Sequence, residues 1–207
     1  MSQAKDSGAD PIFGWVRVAR IFSNIISPPV IIASLGLALS LQELPTWQGL
    51  LWAAVFGLCV SLAPSLFVVY MLRSGRISDL HMNTRRERRW PYVTSVLGSA
   101  IALALIMLFG GPELLRCLAI FSLIELAILG FITNFWMISI HATSITAATV
   151  IVGLVYGLLP ALLLLPLVLL VSWVRMYLRR HTFAQVGAGI TLGVMTVFVM
   201  ALGGCFV

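Results

Sequence analysis

The chain has 207 residues, 60% of them hydrophobic and only 10% charged, with a mean hydropathy of +1.06 and a net charge of +6. A soluble domain is roughly 45–50% apolar and about 25% charged, so a water-soluble enzyme and a disordered chain are both excluded. Twelve of the thirteen basic residues are arginines gathered beside apolar runs, which directs the positive charge at membrane headgroups or phosphates rather than at nucleic acid.

The composition predicts an all-α fold, a polytopic transmembrane helix bundle of six to seven spans, forming one integral membrane domain over residues 1–207. Residues 1–21 read as a polar N-terminal segment, and the apolar stretch after it lacks a cleavage-like site, so it is expected to be kept as an anchor. With about 20 apolar residues needed per crossing, in a range of roughly 17–25, the spans fall at 22–42, 48–72, 92–110, 114–135, 142–158, 161–178 and 183–205. Ser27-Pro28-Pro29 is expected to kink or delay the first. Pro45 marks the turn after it, Gly110-Gly111-Pro112 separates the third from the fourth, and Pro160 the fifth from the sixth. The fifth and sixth are short, and a single re-entrant hairpin over 142–178 is the alternative. Cys59, Cys117 and Cys205 are odd in number, have no close pair and lie in apolar runs, so they are expected to be small apolar fillers.

Polar residues interrupt these runs in three places: RSGRISDLHMNTRRERRWP over 73–91, NFWMISIHATS over 134–144 and RMYLRRHTFAQ over 175–185. Two spans separate each from the next, and an even number of crossings returns the chain to the same face. All three segments are therefore expected at one end of the bundle, with the N-terminus. Arg116 alone among the basic residues falls near the other end, so the positive-inside rule makes the polar end cytoplasmic. Trp15, Trp90, Trp136 and Trp173 border that face and Trp47 and Trp52 the opposite one, as an interfacial aromatic belt would.

The third segment carries Arg175 and His181, with Gln185 four residues after the histidine, a spacing at which a helix lets the amide hold the imidazole. Arginine forks bind phosphate oxygens in a bidentate manner. His141 follows closely on Ser139 at the start of an apolar helix, where free backbone N–H groups favour an anion. Two histidines and several arginines at one face suit phosphoryl transfer, one histidine attacking phosphorus and the other protonating the leaving oxygen.

These residues resemble the type 2 phosphatidic acid phosphatase superfamily, which also includes vanadium haloperoxidases and carries the motifs K-x6-R-P, P-S-G-H and S-R-x5-H-x3-D. VRMYLRRHTFAQ keeps Arg175 and His181 at the third motif's spacing, and ISIHAT keeps Ser139 and His141 of the second. The first is represented by NTRRERRWP, where Asn83 replaces the lysine and Trp90 the arginine, so Arg85, Arg88 or Arg89 would supply the basic contacts from a shifted register. The resemblance covers residues 73–190. It implies His181 as nucleophile through a phosphohistidine, and His141 as general acid and then base. Arg175, Ser139 and the first-segment arginines would cradle the phosphate, with neither metal nor cofactor. The substrate implied is a lipid phosphate or diphosphate monoester, of the phosphatidic acid or isoprenoid diphosphate type, whose tail enters from the bilayer.

Two departures matter. The third motif's aspartate is Gln185 here, which can accept the Nδ1–H of His181 but cannot offset the charge that develops on attack; Asp79 or Glu125 could supply it through space. The family's catalytic face usually points away from the cytosol, whereas the arginine bias places this one on the cytoplasmic face of the cell membrane. Glu125 lies mid-span, where an ionisable side chain costs about 2.5–3.5 kcal/mol and usually faces the protein interior, for packing as readily as for catalysis. Gly187, Gly189 and Gly193 are expected to allow close helix approach in the last span. The rival readings are a phosphotransferase, a degenerate lipid-phosphate binder and a small transporter.

Overall fold

In a computed structural model of the protein, residues 11–77 and 84–207 are described, and among them regular structure is entirely helical. The helices are α1 (Pro11–Ile25), α2 (Pro28–Glu43), α3 (Thr46–Arg73), α4 (Arg85–Phe109), α5 (Glu113–Ile132), α6 (Ile140–Tyr156), α7 (Leu158–Tyr177) and α8 (Phe183–Leu202). Most predicted breaks are where the chain turns, but the fifth and sixth predicted spans part at Gly157 rather than at Pro160, which lies in the first turn of α7. Gly110 ends α4 in the left-handed region at φ 68°, and Gly157 joins α6 to α7 at φ 93°.

Among the described residues five helices, α3, α4, α5, α7 and α8, are long and apolar enough to cross a bilayer, and α1 with α2 would make a sixth, bent by 41° at the Ser27-Pro28-Pro29 break. The predicted span at 142–158 is a 17-residue helix, shorter than the others. It is also the most enclosed. Every residue from Ala142 to Thr149 is buried, and α2, α7 and α8 pack around it. Small Ala, Ser and Thr side chains allow neighbours to close on all sides of a helix. The segment read as a polar N-terminus forms helix from Pro11 onward, and α1 packs on α7.

The core holds Leu39, Phe56, Ile106, Leu118, Ile151 and Val197. The outer surface is apolar as well. Phe109, Leu163 and Leu169 are each more than 70% exposed, which water would penalise and lipid does not. Within α3 one π-helical turn, Leu58–Leu62, bulges toward α4. Gly98 of α4 fits against it so closely that a Cβ there would collide with the Cys59 carbonyl oxygen.

The cysteine expectation is corrected. Cys117 and Cys205, 88 residues apart in sequence, form a disulfide with their Cα atoms 5.6 Å apart, and Cys59 stays free. Cys117 lies one turn into α5 and Cys205 just beyond the end of α8; α5 and α8 pack together, which brings the two sulfurs to one end of the bundle. Glu43 accepts the Leu114 amide at 2.9 Å and Arg116 pairs with Glu113 at that same end.

Candidate functional site

The opposite end gathers the three polar segments. Arg88, His141 and Arg175 line one cavity of about 490 Å³, together with Ser23 of α1 and Glu125 of α5. Arg88 also lines a second, outer cavity of about 610 Å³ with Arg20, Met137, Arg179 and Arg180. Residues from 73–91, 134–144 and 175–185 thus meet at one place, as expected.

Arg175 is 3% exposed, near the end of α7. Its Nη1 donates to Ser23 Oγ at 3.0 Å, its Nε has no hydrogen-bond acceptor, and among the described residues no carboxylate pairs with it. A guanidinium this deep with an unused donor and no counter-charge is expensive to keep dry, and an anion would relieve it. Arg88 is 8% exposed, and the Tyr92 hydroxyl stands next to it and to Thr133. The capping box of Thr84 and Glu87 starts α4, and an arginine of its first turns faces inward. Arg88 does so, while Arg89 is exposed. Asp79 and the side chain of Arg85 lie outside the described residues.

His181 is placed by its backbone neighbours. Beyond α7, Arg179 takes the left-handed conformation at φ 53°, and the chain folds back so that the amides of Arg180 and His181 both donate to the Arg175 carbonyl, at 3.1 and 3.3 Å. The five-residue interval between Arg175 and His181 is this turn. The expectation that His181 and Gln185 share a helix face is replaced by a different geometry. His181 precedes α8, Thr182 is its N-cap, and Gln185 is the third helical residue of a capping box. Gln185 Oε1 accepts the Thr182 amide at 3.0 Å and lies 3.3 Å from His181 Nδ1. An oxygen already accepting a backbone N–H must accept again, so Nδ1 carries the proton and the Nε2 lone pair is left available. Nε2 is buried and makes no well-formed hydrogen bond. Burial first, then the charges of Arg175 and Arg88, push the His181 pKa down to about 4, against the opposing contacts with Gln185 and the Met137 backbone. The ring is neutral at neutral pH, as a nitrogen nucleophile must be. His181 itself lines neither cavity.

Ser139 is fully buried as the N-cap of α6, its hydroxyl accepting the Ala142 amide at 3.4 Å and its carbonyl taking the Thr143 hydroxyl at 3.0 Å. Its own amide donates to the Gln185 carbonyl at 3.2 Å, which ties the start of α6 to the start of α8 and fixes His141 relative to His181. Glu125, 4% exposed, stands beside Thr196 of α8, and neither carboxyl oxygen makes a well-formed hydrogen bond. Sequence reasoning missed Ser23, Arg20 and Met137. Ser23 had a signal, since with Ala19 four residues earlier it forms the buried stripe of α1. Among the described residues no three of His, Cys, Asp or Glu converge as a metal site would. Comparisons with protein-family models, with characterised proteins and with solved structures find no match to the chain.

Proposed function

We propose that the protein is a membrane lipid-phosphate phosphatase, which hydrolyses a phosphate or diphosphate monoester through a phosphohistidine at its arginine-rich end. The observation that carries this reading is Arg175, buried without a carboxylate partner among the described residues, in the cavity that also holds Arg88 and His141 and close enough to His181 for its charge to be felt there. Arginine donors fixed in a dry site stabilise the charge that spreads over the equatorial oxygens of a transferring phosphoryl group. In this scheme His181 Nε2 forms the bond to phosphorus as the bond to the leaving oxygen breaks, and His141 donates a proton to that oxygen. Water then attacks the phosphohistidine, returns a proton to His141 and releases inorganic phosphate. Attack requires the His181 ring to reach a phosphate held by Arg88 and Arg175, a contact that catalytic groups often complete only once substrate is bound. The apolar wall of the same cavity, including Ile32, Val60, Phe121 and Leu126, suits the first part of a lipid tail.

We place the arginine-rich end in the cytoplasm. The positive bias supports this, and so does the disulfide at the opposite end, since disulfides persist in oxidising compartments.

The test is phosphate release by the purified protein from phosphatidic acid, farnesyl diphosphate and a long polyprenyl diphosphate, with His181→Ala in parallel. Release that vanishes in the variant is expected. No release above the variant, from protein shown to be folded, would overturn the hydrolase and favour the lipid-phosphate binder. That second reading has its own observation, the absence of His181 from either cavity wall.

A further inference from the structure

Glu125, in the interior of α5, lines the inner cavity, and phosphate binding by the arginines leaves it unused. It is buried, neither carboxyl oxygen makes a well-formed hydrogen bond, and it joins no ion pair with Arg88 or Arg175. Ser122, one turn earlier on the same helix, is also buried on that wall, with a hydroxyl that makes no hydrogen bond. A carboxyl group in a membrane interior is costly, and such groups mark ion and proton paths. The charged and titratable groups around it are of one kind. On the cavity wall α4 contributes Arg88 and Tyr92, α6 contributes His141 and α7 contributes Arg175, while α1, α2 and α3 line it with uncharged side chains. From α8 it meets the uncharged Thr196, and Glu43 of α2 and Glu113 and Arg116 of α5 lie at the other end of the bundle. Among the described residues no second carboxyl group lines the cavity. With the arginines free, their two positive charges offset a carboxylate at Glu125. An anion seated on them cancels that field and sets a like charge in the same dry space, and a proton on Glu125 relieves it.

We propose that Glu125 is a proton-binding site coupled to the anion site, taking a proton from water when a tetrahedral oxyanion seats on Arg88 and Arg175 and returning it when the anion leaves. This rests on the anion site of the phosphatase reading, but not on the chemistry at His181. The proton moves from solvent to a carboxylate oxygen, and no bond of the anion is made or broken. Ser95, Ser122 and Ser144 on the same wall offer water hydroxyl partners on its way in. Two unit charges about 10 Å apart, at the effective dielectric of a protein interior, change each other's binding equilibrium by about tenfold. The coupling is reciprocal, so the anion binds more tightly as pH falls through the titration of Glu125.

Purified full-length protein in weakly buffered detergent solution would be titrated with farnesyl sulfonate, a non-hydrolysable tetrahedral anion whose charge is constant around neutral pH. Proton uptake would be read with an indicator dye over a series of pH values. Wild-type protein is expected to bind the anion about tenfold more tightly at the acid end of the series than at the alkaline end. Uptake should peak at about half a proton per anion, the most that one site gives at that coupling. Glu125→Gln, an uncharged stand-in for the protonated acid, should take up no proton and bind nearly as tightly at alkaline pH as wild-type protein does at acid pH. His141 faces the same cavity and would give uptake of the same sign, so His141→Gln is the second variant, and it should keep the uptake. Uptake that persists in Glu125→Gln, or disappears in His141→Gln, would assign the proton to the histidine and overturn the proposal. Binding without uptake by wild-type protein, which needs no variant to interpret, would overturn it while leaving the anion site standing. No binding by folded wild-type protein would overturn it together with the anion site on Arg88 and Arg175.

Discussion

Gln185 Oε1 serves two donors, the Thr182 amide and His181 Nδ1, so one amide oxygen both starts α8 and fixes the histidine tautomer. A glutamate at this position would keep both acceptor contacts and add the negative charge that stabilises an imidazolium. Gln185→Glu is therefore expected to raise the His181 pKa from about 4 toward its ordinary 6.5 or beyond, read from the ring resonances in an NMR titration. The lowered pKa also sets a stability window. Unfolded chain takes up a proton on this ring near pH 6.5, and folded protein does so only near 4. The group's contribution is thus complete above pH 6.5 and is lost as pH falls toward 4, at about 1.4 kcal/mol for each pH unit crossed. The melting midpoint should be level above 6.5 and fall between 6.5 and 4, with a smaller fall in Gln185→Glu. A midpoint indifferent to pH over that interval would contradict the placement of His181.

Helix contacts decide whether the two histidines stay in register. Gly189 and Gly193 of α8 lie against α6, where added Cβ atoms would stand 2.7 Å from the Ser139 carbonyl oxygen and 2.6 Å from that of Thr143. Those obstacles are backbone and cannot rotate away. Gly193→Ala is expected to push α8 from α6 and destabilise the protein by about 1–3 kcal/mol, lowering the detergent melting midpoint. Gly187 has nothing within 4 Å, so Gly187→Ala should be neutral or slightly stabilising, since alanine is the better helix former. Of the three glycines expected to permit close approach, two do so. The sequence showed all three on one helix but not which face would meet α6.

Across the whole molecule, the disulfide closes one end of the bundle while the arginines occupy the other. Its link spans 88 residues, running from α5 to the segment after α8 and enclosing α6, α7 and α8. Reduction, or Cys205→Ser, is expected to cost about 2–4 kcal/mol, seen as a lower melting midpoint with the His181 titration unchanged. An altered His181 titration would mean that the two ends are mechanically coupled. The membrane class, the helix breaks and the convergence of the three polar segments were legible because each follows from local rules: apolar length, Pro and Gly at turns, and the even number of crossings between segments.

The His181–Gln185 pair was legible for a related reason, though its form was not. Spacing alone gives proximity, while the capping box needs the start of α8 to be known. Composition and order along the chain determined a helical membrane bundle with its basic side chains at one end. Tertiary structure alone decided that Arg88 rather than Arg89 turns inward, that α1 supplies Ser23 to Arg175, and that Cys117 meets Cys205. Each of these depends on the rotation of one helix about its axis against a distant one, and that rotation is fixed by side-chain packing between segments far apart in sequence.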